Sequence, residues 1–430
     1  MKVEVYPSEL SGVIIAPGSK SVAQRMVACA LLARGESVIH DFPDSDDCRA
    51  ALDVAQALGG VITTKGNVVS IKGGYPKAFL SGIRNPKAEV FCGESGLTSR
   101  MFTPIAALHD QAVTIVGKGS LLTRTFNDYL EILPALNVKV QTSNGLLPIT
   151  VHGPLSHGEI SMDASTSSQF LTGLLTALPK TGGDSIIRVS NLRSKPYVEM
   201  TLEILARFGV KIEHRNLEEF IIRPSNFEPQ TVRVPGDWSS AAFLLVAGAL
   251  CADKGLRIEN LNTELAQADN AIVEVLVRAG VMVTRDADSV TVRTSEIRAF
   301  EFDANDSPDL FPPLVALAAF ADGVSTIYGV KRLTYKESNR GKSLQQEFAK
   351  ANIRIVLRND EMKIYPAHIR PAVINSHNDH RIAMSAAILG LAGARMIIRG
   401  AECVAKSYPD FFNVLQLVNA KVLVQQTAGA

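Results

Sequence analysis

The hydrophobic and polar positions of this chain follow two periods in turn, and the switch between them recurs about every 70 residues, six times. Each copy has an apolar stretch with helical spacing, then a strand, then a second helical stretch. That second stretch ends at Gly, Asn or Ala, and Val-x-Val-type alternation follows, which predicts a strand. The six junctions are AQALGGVITT from Ala55, LPALNVKVQT from Leu133, LARFGVKIEH from Leu205, LVRAGVMVTR from Leu276, FAKANIRIVL from Phe348 and LVNAKVLVQQ from Leu417.

Turn residues follow the alternating strands and close them into hairpins, as at Lys65-Gly66-Asn67 and Ser143-Asn144-Gly145. The pattern predicts an α/β fold of six helix-strand-helix-strand-strand units, three in each of two lobes. The segment 223–229 contains two prolines and lies near the boundary, so we predict one lobe over 18–234 and a second over 1–17 and 235–430. The first strand then completes the sixth unit, which otherwise lacks its last strand.

The six predicted helix starts are chemically alike, with small polar residues and charges in the first turn. They are PGSKSVAQR from Pro17, CGESGLTSR from Cys92, DASTSSQF from Asp163, PGDWSSAAF from Pro235, NDSPDLF from Asn305 and SHNDHRIAM from Ser376. The predicted N-caps are Ser21 with Gln24, Thr166 with Gln169, Asp237, Ser307 before Pro308, and Asn378. Free N–H groups in such first turns favour anions, so each lobe is predicted to gather anion-binding helix ends.

The first helix start places Lys20 and Arg25 beside such an end. Lys20 adds a compact positive charge and Arg25 adds a planar guanidinium group, which can donate two parallel hydrogen bonds. Together they favour a phosphate or carboxylate ligand. A capped surface helix with two solvated cations is the alternative interpretation. The glycine that opens a phosphate-binding loop is missing before Gly18, so a nucleotide is not indicated.

Composition narrows the class of protein further. The 430 residues include 44 basic and 43 acidic side chains, which argues against a general nucleic-acid or membrane surface. No apolar run approaches the roughly 20 residues of a membrane span. The five cysteines are dispersed, and the N-terminal residues alternate like a strand and lack the apolar core of a signal peptide. We therefore expect a soluble cytoplasmic protein.

Ten motifs in a fixed order carry a family resemblance over nearly the whole chain. They are PGSKS with Arg25, Gly96 with Arg100, Arg124, SSQF from Ser167, SKPY from Ser194, GD-x-SSAAF from Gly236, PD from Pro308, KES-x-R from Lys336, NDHR-x-AM from Asn378 and AKSYPDF from Ala405. Together they resemble the 5-enolpyruvylshikimate-3-phosphate (EPSP) synthases. The resemblance implies an inside-out α/β barrel of two lobes, and transfer of the enolpyruvyl group of phosphoenolpyruvate to shikimate 3-phosphate with release of phosphate.

The resemblance also implies two sets of binding residues. Shikimate 3-phosphate would be bound by Lys20, Ser21, Arg25, Ser167, Ser168, Gln169, Ser194, Tyr197, Asp309, Arg332 and Lys336. Phosphoenolpyruvate would be bound by Lys20, Gly96, Arg124, Gln169, Arg340, Arg381 and Lys406. Both substrates are polyanions, so convergent cations and helix N-termini suit them. Glyphosate, an inhibitor of this family, would occupy the phosphoenolpyruvate site next to Gly96.

The implied catalytic residues are Asp309, Glu337 and Lys20. Asp309, held ionised by a helix dipole, is expected to take the proton of the 5-hydroxyl. Either Glu337 or Lys20 protonates the methylene carbon. His377 and His380 have a spacing compatible with metal binding, but no third ligand is evident and we expect neither a metal nor another cofactor. The expected partners are the two small-molecule substrates, without nucleic acid or membrane, and the protein is expected to be a monomer.

Some positions depart from the family pattern. Glu94 and Leu97 replace Asn and Thr in the second helix start, so a carboxylate stands beside an anion site. Asn339 replaces Asp in the KE-[ST]-DR motif, Trp238 occupies a place that is usually small or aliphatic, and Arg332 stands where some members use Asn. Each substitution is expected to change affinities without removing the reaction.

Two alternative functions remain. A UDP-N-acetylglucosamine enolpyruvyl transferase shares the architecture, but it has Asn after the first lysine and usually a loop cysteine. Here Ser21 follows Lys20, and the loop 117–124 contains no cysteine. A non-catalytic anion-binding relative is the other alternative; retention of Lys20, Asp309, Glu337 and Lys406 argues against it.

Overall fold

A computed structural model describes residues 1–75, 89–334 and 336–425 of the chain. The described residues form two compact units, one within the bounds 1–17 and 236–430 and the other within the bounds 18–235. The polypeptide therefore passes from one unit to the other twice. No helix among the described residues has the combination of length and apolar character that a membrane span requires.

The α-helices of the described part of the chain come in alternating central and outer positions along the sequence. They are α1 Lys20–Leu32, α2 Asp46–Ala57, α3 Gly96–Ala106, α4 Asn127–Ala135, α5 Gln169–Ala177, α6 Lys195–Arg207, α7 Trp238–Cys251, α8 Ile272–Arg278, α9 Phe311–Ala318, α10 Arg340–Ala349, α11 His380–Ala392 and α12 Phe411–Leu417. Short 3-10 helices cover Gly119–Thr123, Leu178–Lys180, Ala268–Ala271, Pro308–Leu310, Val330–Leu333 and Ala401–Lys406.

The strands are short and evenly spread between the helices. They are β1 Lys2–Val5, β2 Gly12–Ile15, β3 Glu36–His40, β4 Val61–Lys65, β5 Val68–Lys72, β6 Glu89–Phe91, β7 Ala112–Val116, β8 Lys139–Ser143, β9 Leu146–His152, β10 Glu159–Asp163, β11 Ser185–Ser190, β12 Glu213–Arg215, β13 Glu219–Ile222, β14 Thr231–Arg233, β15 Leu256–Glu259, β16 Met282–Arg285, β17 Ser289–Arg293, β18 Glu301–Asp303, β19 Ser325–Tyr328, β20 Arg354–Arg358, β21 Glu361–Tyr365, β22 Ala372–Asn375, β23 Met396–Arg399 and β24 Val422–Gln425.

The strands pair into four-stranded sheets with one repeated arrangement. In the unit 18–235 the strand orders are β14-β3-β5-β4, β6-β7-β9-β8 and β10-β11-β13-β12. In the other unit they are β2-β15-β17-β16, β18-β19-β21-β20 and β22-β23-β1-β24. In each sheet the first two strands are parallel and the remaining pairs are antiparallel. Six equivalent sheets, three in each unit, match the six repeats of the sequence.

The first strand completes the sixth sheet, as the sequence predicts. β1 lies between β23 and β24, with Lys2 opposite Arg399 on one side and Gln425 on the other. The strands next to the two chain crossings pair with strands of a different repeat from the one that follows them in the sequence. The repeat pattern alone does not predict this. β2 precedes α1 in the sequence but pairs with β15, and β14 precedes α7 but pairs with β3.

The first helix of each repeat is buried along its length. All residues of α3 and α9 are buried, and α7 and α11 are nearly so. A helix that is apolar on every side must be enclosed, and here α7, α9 and α11 pack on one another while α3 packs on α1 and α5. The helices therefore form the interior of each unit, and the sheets lie outside them.

The second helices end where the sequence predicts, at residues with left-handed backbone conformation. Glycine has no Cβ to oppose a positive φ, and asparagine tolerates it better than most residues. The residues at these ends are Gly59, Asn137, Gly209, Gly280, Asn352 and Asn419, with φ between 63° and 106°.

Three of the predicted N-caps are wrong. α1 is preceded by Ser19 rather than Ser21, α5 by Ser168 rather than Thr166, and α11 by Asp379, which accepts a hydrogen bond from the Arg381 N–H. Asn378 adopts φ of +56° outside the helix.

The prediction of Asp237 is confirmed, since its side chain accepts from the Ser240 N–H at 3.1 Å. Ser307 does precede Pro308, but these residues open a 3-10 turn rather than α9 itself.

Replacement of Phe243 by alanine should lower the free energy of unfolding of its unit by about 3–5 kcal/mol, because a large side chain at the centre of the core leaves a cavity. Phe243 is fully buried on α7 and packs edge-on against Phe411, with ring centroids 6.5 Å apart. Urea unfolding followed by the fluorescence of Trp238, the only tryptophan and fully buried in the same unit, measures the change.

Leu417→Ala is the matched control, because that side chain is 80% exposed in the same unit and its loss should cost under about 0.5 kcal/mol. Equal losses for the two variants would contradict the buried position of α7.

Candidate active site

The predicted site residues fall into two groups, one in each unit. The unit 18–235 contains Lys20, Ser21, Arg25, Gly96, Arg124, Ser167, Ser168, Gln169, Ser194 and Tyr197. The unit of residues 1–17 and 236–430 contains Asp309, Arg332, Lys336, Glu337, Arg340, Arg381 and Lys406. Many of these residues lie at the N-terminal ends of α-helices or just before them, whereas Asp309, Arg332 and Lys406 lie in 3-10 helices.

Lys20 is the first residue of α1, and its ammonium group pairs with Asp47 of α2 at 2.9 Å. Gln24, one turn further along, donates to the Asp47 carbonyl at 3.0 Å and to Ser95 Oγ at 3.2 Å. These bonds connect the N-terminal turns of α1, α2 and α3. Lys20 is thus held at the helix end, and the role predicted for Gln24 as a capping partner of Ser21 is replaced by contacts with neighbouring helices.

Arg25 is buried and donates to groups of its own unit. Its guanidinium group reaches Thr201 Oγ1 at 2.9 Å, the Ser21 carbonyl at 2.8 Å and the Tyr197 carbonyl at 3.3 Å. Burial lowers the pKa of Arg25 to about 10. The arginine thereby connects α1 to α6, whose N-terminus follows Ser194, a residue with φ of +56°. Arg25 thus lies against both Ser21 and Tyr197, and Ser194 immediately precedes the same helix α6.

Gln169 begins α5 and is oriented by Arg100 of α3. Arg100 Nη1 donates to Gln169 Oε1 at 2.9 Å, and the guanidinium carbon lies 4.9 Å from the centre of the Phe170 ring. Ser167 Oγ accepts from the Gln169 N–H at 3.2 Å. Burial, with a smaller contribution from the neighbouring Arg124 charge, lowers the pKa of Arg100 to about 10. The sequence shows Arg100 only as part of a motif, whereas in the structure it holds the amide of Gln169 in place.

Gly96 and Arg124 are in direct contact. Gly96 is the first residue of α3, after the N-cap Ser95, whose Oγ accepts from the Thr98 N–H at 3.3 Å. A Cβ added at Gly96 would lie 2.5 Å from Arg124 Nη1 and 3.6 Å from Gln169 Oε1. The absence of a side chain therefore lets the buried Arg124 guanidinium group cross the end of the helix, beside the Gln169 amide.

Asp309 is surrounded by three cations in the other unit. Its Oδ1 lies 2.8 Å from Arg340 Nη1 and 3.4 Å from Lys336 Nζ, and its Oδ2 lies 3.1 Å from Arg381 Nη2. Burial alone would raise the pKa of Asp309, but Arg381, Lys336 and Arg340 hold it well below its usual range. The prediction from the sequence relied on a helix dipole and did not foresee these three cations, which favour the ionised carboxylate.

Arg340 is fully buried and bridges three carboxylates. Besides Asp309 it contacts Glu337 Oε2 at 2.5 Å and Asp379, through Nε at 2.9 Å and Nη2 at 3.2 Å. Burial would lower the pKa of Arg340, but Asp379, Glu337 and Asp309 raise it above its ordinary value. Sequence reasoning did not identify Asp379 as a site residue, although it lies within the NDHR motif.

The remaining predicted residues lie around this cluster in the same unit. Lys406 Nζ donates to the Asn378 carbonyl at 2.7 Å, and Arg332 Nη1 donates to the Asn305 carbonyl at 2.7 Å.

Asp269 is a buried carboxyl group that the sequence did not indicate, and it accepts a hydrogen bond from Ser239 Oγ. Burial and the nearby Asp309 charge raise the pKa of Asp269 to about 7.

The two histidines considered as metal ligands have other neighbours. His377 Nε2 lies 2.9 Å from Glu347 Oε1, whereas His380 Nε2 lies 2.5 Å from Arg381 Nη1. A guanidinium group beside His380 disfavours a cation at that nitrogen. Among the described residues, no group of three or more His, Cys, Asp or Glu side chains has the arrangement that a metal ion needs.

Solved structures share this architecture. An EPSP synthase from Acinetobacter baumannii aligns with a TM-score of 0.83 over 99% of this chain and 100% of its own, at 23% identity. The enolpyruvyl transferase NikO from Streptomyces tendae aligns with a TM-score of 0.77 over 98% of each chain, at 21% identity. The fold is thus that of the EPSP synthase structures, and the predicted fold class of six repeated α/β units, three per lobe, is confirmed.

Sequence comparison is more specific. The model of the EPSP synthase (3-phosphoshikimate 1-carboxyvinyltransferase) family matches residues 5–415. Relatives named 3-phosphoshikimate 1-carboxyvinyltransferase include one from Clostridium kluyveri, 35% identical over 98% of both chains. Another, from Aeropyrum pernix, is 35% identical over 100% of this chain and 98% of its own. The chain belongs to the EPSP synthase family.

Replacement of Arg340 by methionine should destabilise its unit by about 3–5 kcal/mol at pH 7, because three carboxylates lose their shared cation. Folding lowers the pKa of a carboxyl group such as Asp309, and this shift stabilises the folded protein at any pH above the pKa in the unfolded chain, which is about 3.9 for Asp. The stabilisation is lost as the pH falls from there towards the pKa of the folded state. In the variant, protonation relieves repulsion in the same range. The difference in the free energy of unfolding between wild type and variant should therefore be smaller below about pH 4 than at pH 7. Urea unfolding in these two pH ranges measures it.

Arg278→Met is the control, because Arg278 pairs with Glu274 at the surface and is 59% exposed. Its loss should cost at most about 1 kcal/mol at either pH. Arg340→Lys retains the charge and should fall between the two. A destabilisation by Arg340→Met that does not change with pH would contradict the electrostatic account.

Proposed function

We propose that this protein transfers the enolpyruvyl group of phosphoenolpyruvate to the 5-hydroxyl of shikimate 3-phosphate and releases phosphate. Its family membership supports this activity, and the observation that carries the assignment of roles is the cluster of Lys336, Arg340 and Arg381 around Asp309. Such a cluster pairs an ionised carboxylate with cations that anionic substrates can also bind. The two compact units are proposed to be the two lobes of the family fold.

In the proposed addition step, a C–O bond forms between the 5-oxygen of shikimate 3-phosphate and C2 of phosphoenolpyruvate, while C3 gains a proton. Asp309 takes the hydroxyl proton. A carboxylate held so strongly by cations is a weak base, but anionic substrates compete for the same guanidinium groups. Their binding therefore raises the pKa of Asp309 towards the range that a general base needs.

In the elimination step, the C–O bond to phosphate breaks and a proton leaves the new methyl group, which gives the enol ether. Glu337 and Lys20 are the two candidates for transfer of the proton to and from carbon. Glu337 is held by Arg340 at 2.5 Å, and Lys20 by Asp47 at 2.9 Å. Neither step requires a cofactor, and none is proposed.

The proposed binding residues form two sets, one for each substrate. We assign shikimate 3-phosphate to Lys20, Ser21, Arg25, Ser167, Ser168, Gln169, Ser194, Tyr197, Asp309, Arg332 and Lys336. Phosphoenolpyruvate is assigned to Lys20, Gly96, Arg124, Gln169, Arg340, Arg381 and Lys406. Three arginines in this set have at least 94% of their surface buried, which makes them rigid, preorganised donors. We further propose a cytoplasmic monomer, with all five free cysteines buried.

Phosphate release measured with phosphoenolpyruvate and either acceptor tests this function. Shikimate 3-phosphate should support release, and UDP-N-acetylglucosamine should not. Release with the second acceptor alone would assign the other enolpyruvyl transfer. Binding of shikimate 3-phosphate without release in either reaction would identify a non-catalytic relative.

Lys20→Ala should leave the protein folded but lower kcat/KM at least about 100-fold. A charge-assisted hydrogen bond contributes about 1.5–3 kcal/mol, a tenfold change in rate corresponds to about 1.4 kcal/mol, and Lys20 is proposed to contact both substrates. Phosphate release measures the change, and circular dichroism checks the fold. Lys65→Ala, an exposed lysine in the β4–β5 hairpin, is the control and should retain wild-type turnover. Near-normal turnover of Lys20→Ala would remove Lys20 from the mechanism.

Gly96→Ala should raise the KM for phosphoenolpyruvate by about tenfold, since the added methyl group meets Arg124 Nη1 at 2.5 Å and must displace it. The KM for shikimate 3-phosphate should change little. Glyphosate is longer than phosphoenolpyruvate, so its inhibition constant should rise further still.

Gly182→Ala is the matched control, because a methyl group there meets nothing within 4 Å. Equal shifts in the inhibition constant and in the KM for phosphoenolpyruvate would argue that Gly96 does not line the site as proposed.

A further inference from the structure

Glu94 is a carboxylate in the turn that leads into α3, two residues before Gly96, where the resemblance leads one to expect asparagine. A negative charge beside an anion site should weaken it. The carboxylate of Glu94 is bound to the loop 117–124, however. Its Oε2 accepts from the Ser120 N–H at 3.2 Å and from Ser120 Oγ at 3.1 Å.

The backbone of this loop is shaped to receive the carboxylate. Gly119 has φ of +57°, and a Cβ there would lie 2.5 Å from Glu94 Oε1 and 2.6 Å from Oε2. The neighbouring Lys118 N–H donates to the Gly93 carbonyl at 2.8 Å. The turn before α3 and the loop are therefore joined by backbone and side-chain hydrogen bonds, and only glycine at 119 permits the close approach.

The same loop ends at Arg124. The 3-10 helix Gly119–Thr123 leads directly into this residue, whose N–H donates to the Leu121 carbonyl at 3.2 Å. Its guanidinium group then returns to the helix end at Gly96. Glu94 and Gly96 thus contact the two ends of one short segment, so the bond from Glu94 to Ser120 restricts where Arg124 can lie.

We propose that Glu94 is a positioning residue that fixes the loop 117–124, and through it Arg124, for binding of phosphoenolpyruvate. Because this role presumes the proposed transfer reaction, it deepens that function and does not add a second one. Glu94 itself does not bind the substrate. Its negative charge is used by two donors of the loop, and the cost of a carboxylate near an anion is offset by an ordered arginine.

Two hypotheses make opposite predictions for Glu94. If its charge only repels phosphoenolpyruvate, Glu94→Ala and Glu94→Gln should both lower the KM for this substrate. If Glu94 positions Arg124, Glu94→Ala should raise that KM about tenfold, because the loop is no longer held. Glu94→Gln retains a carbonyl acceptor for Ser120 and should stay within about threefold of wild type.

Steady-state phosphate release with both substrates varied measures these effects. For Glu94→Ala, kcat and the KM for shikimate 3-phosphate should change less than about twofold. Ser120→Ala removes one of the two donors and should have a smaller effect, and adding it to Glu94→Ala should cause no further loss. Glu131→Ala, an exposed carboxylate on α4 of the same unit, is the control and should match wild type.

Amide hydrogen exchange of the loop provides a readout that does not depend on catalysis. The Ser120 amide should exchange faster in Glu94→Ala than in wild type, and Glu94→Gln should restore much of its protection. If wild type releases no phosphate, the proposed function fails while the exchange experiment still tests the contact.

Several outcomes would overturn the positioning role. They are a lower KM for phosphoenolpyruvate in Glu94→Ala, equal changes in the KM values of both substrates, additive losses with Ser120→Ala, and faster exchange without a change in KM.

Discussion

The enclosure of the first helices is the constraint on which the rest of each unit depends. A helix buried along its length can carry a polar side chain only at the cost of desolvation, and Arg25 and Arg100 offset this cost with hydrogen bonds inside their unit. Its first turn cannot satisfy its own N–H groups and must meet side chains, water or a ligand. Several of the residues proposed to bind substrate lie at these helix ends. Lys20 on α1, Gly96 on α3, Gln169 on α5 and Arg381 on α11 all lie within the first turn.

Charge balance sets a second condition in the unit that contains Asp309. Burial of a guanidinium group is costly, and in Arg340 three carboxylates offset that cost. In the proposed function, Arg340 is shared between these carboxylates and the substrate. An anionic substrate bound there would compete with Asp309 and Glu337 for the guanidinium group, which would couple substrate binding to the proton affinity of the proposed base. This coupling follows from geometry that no motif states.

The repeat architecture could be predicted from the sequence because it depends on local signals. Each second helix ends at a residue that accepts positive φ, and each following strand alternates with a period of two, so Gly59 and Asn352 mark junctions without knowledge of the fold. The helix caps could be predicted less well. Gln24 has the spacing of a capping box, but neighbouring helices offer it Ser95 Oγ and the Asp47 carbonyl instead. Tertiary contacts of this kind cannot be predicted from the spacing of residues along the sequence.

The site itself divides in the same way. Which residues carry the chemistry stays a prediction from the order of the motifs. Their hydrogen-bond partners could not be predicted, because they come from distant positions: Asp379 lies 39 residues from Arg340, and Asp47 lies 27 residues from Lys20. The exchange of β2 and β14 between the sheets is also invisible to a repeat pattern, because both strands occupy equivalent places in it.

The departures from the family pattern show how such partners preserve a site. Asn339 still caps a helix, accepting from the Lys342 N–H at 3.2 Å, as the usual aspartate would. Trp238 is fully buried, and its Nε1 donates to the Asn262 carbonyl at 3.0 Å. Arg332 donates to the Asn305 carbonyl. Asn339 is thus satisfied by the first turn of the helix that it caps, and Trp238 and Arg332 each donate to the carbonyl group of a loop. None of these three substitutions adds a carboxylate to the cluster around Asp309.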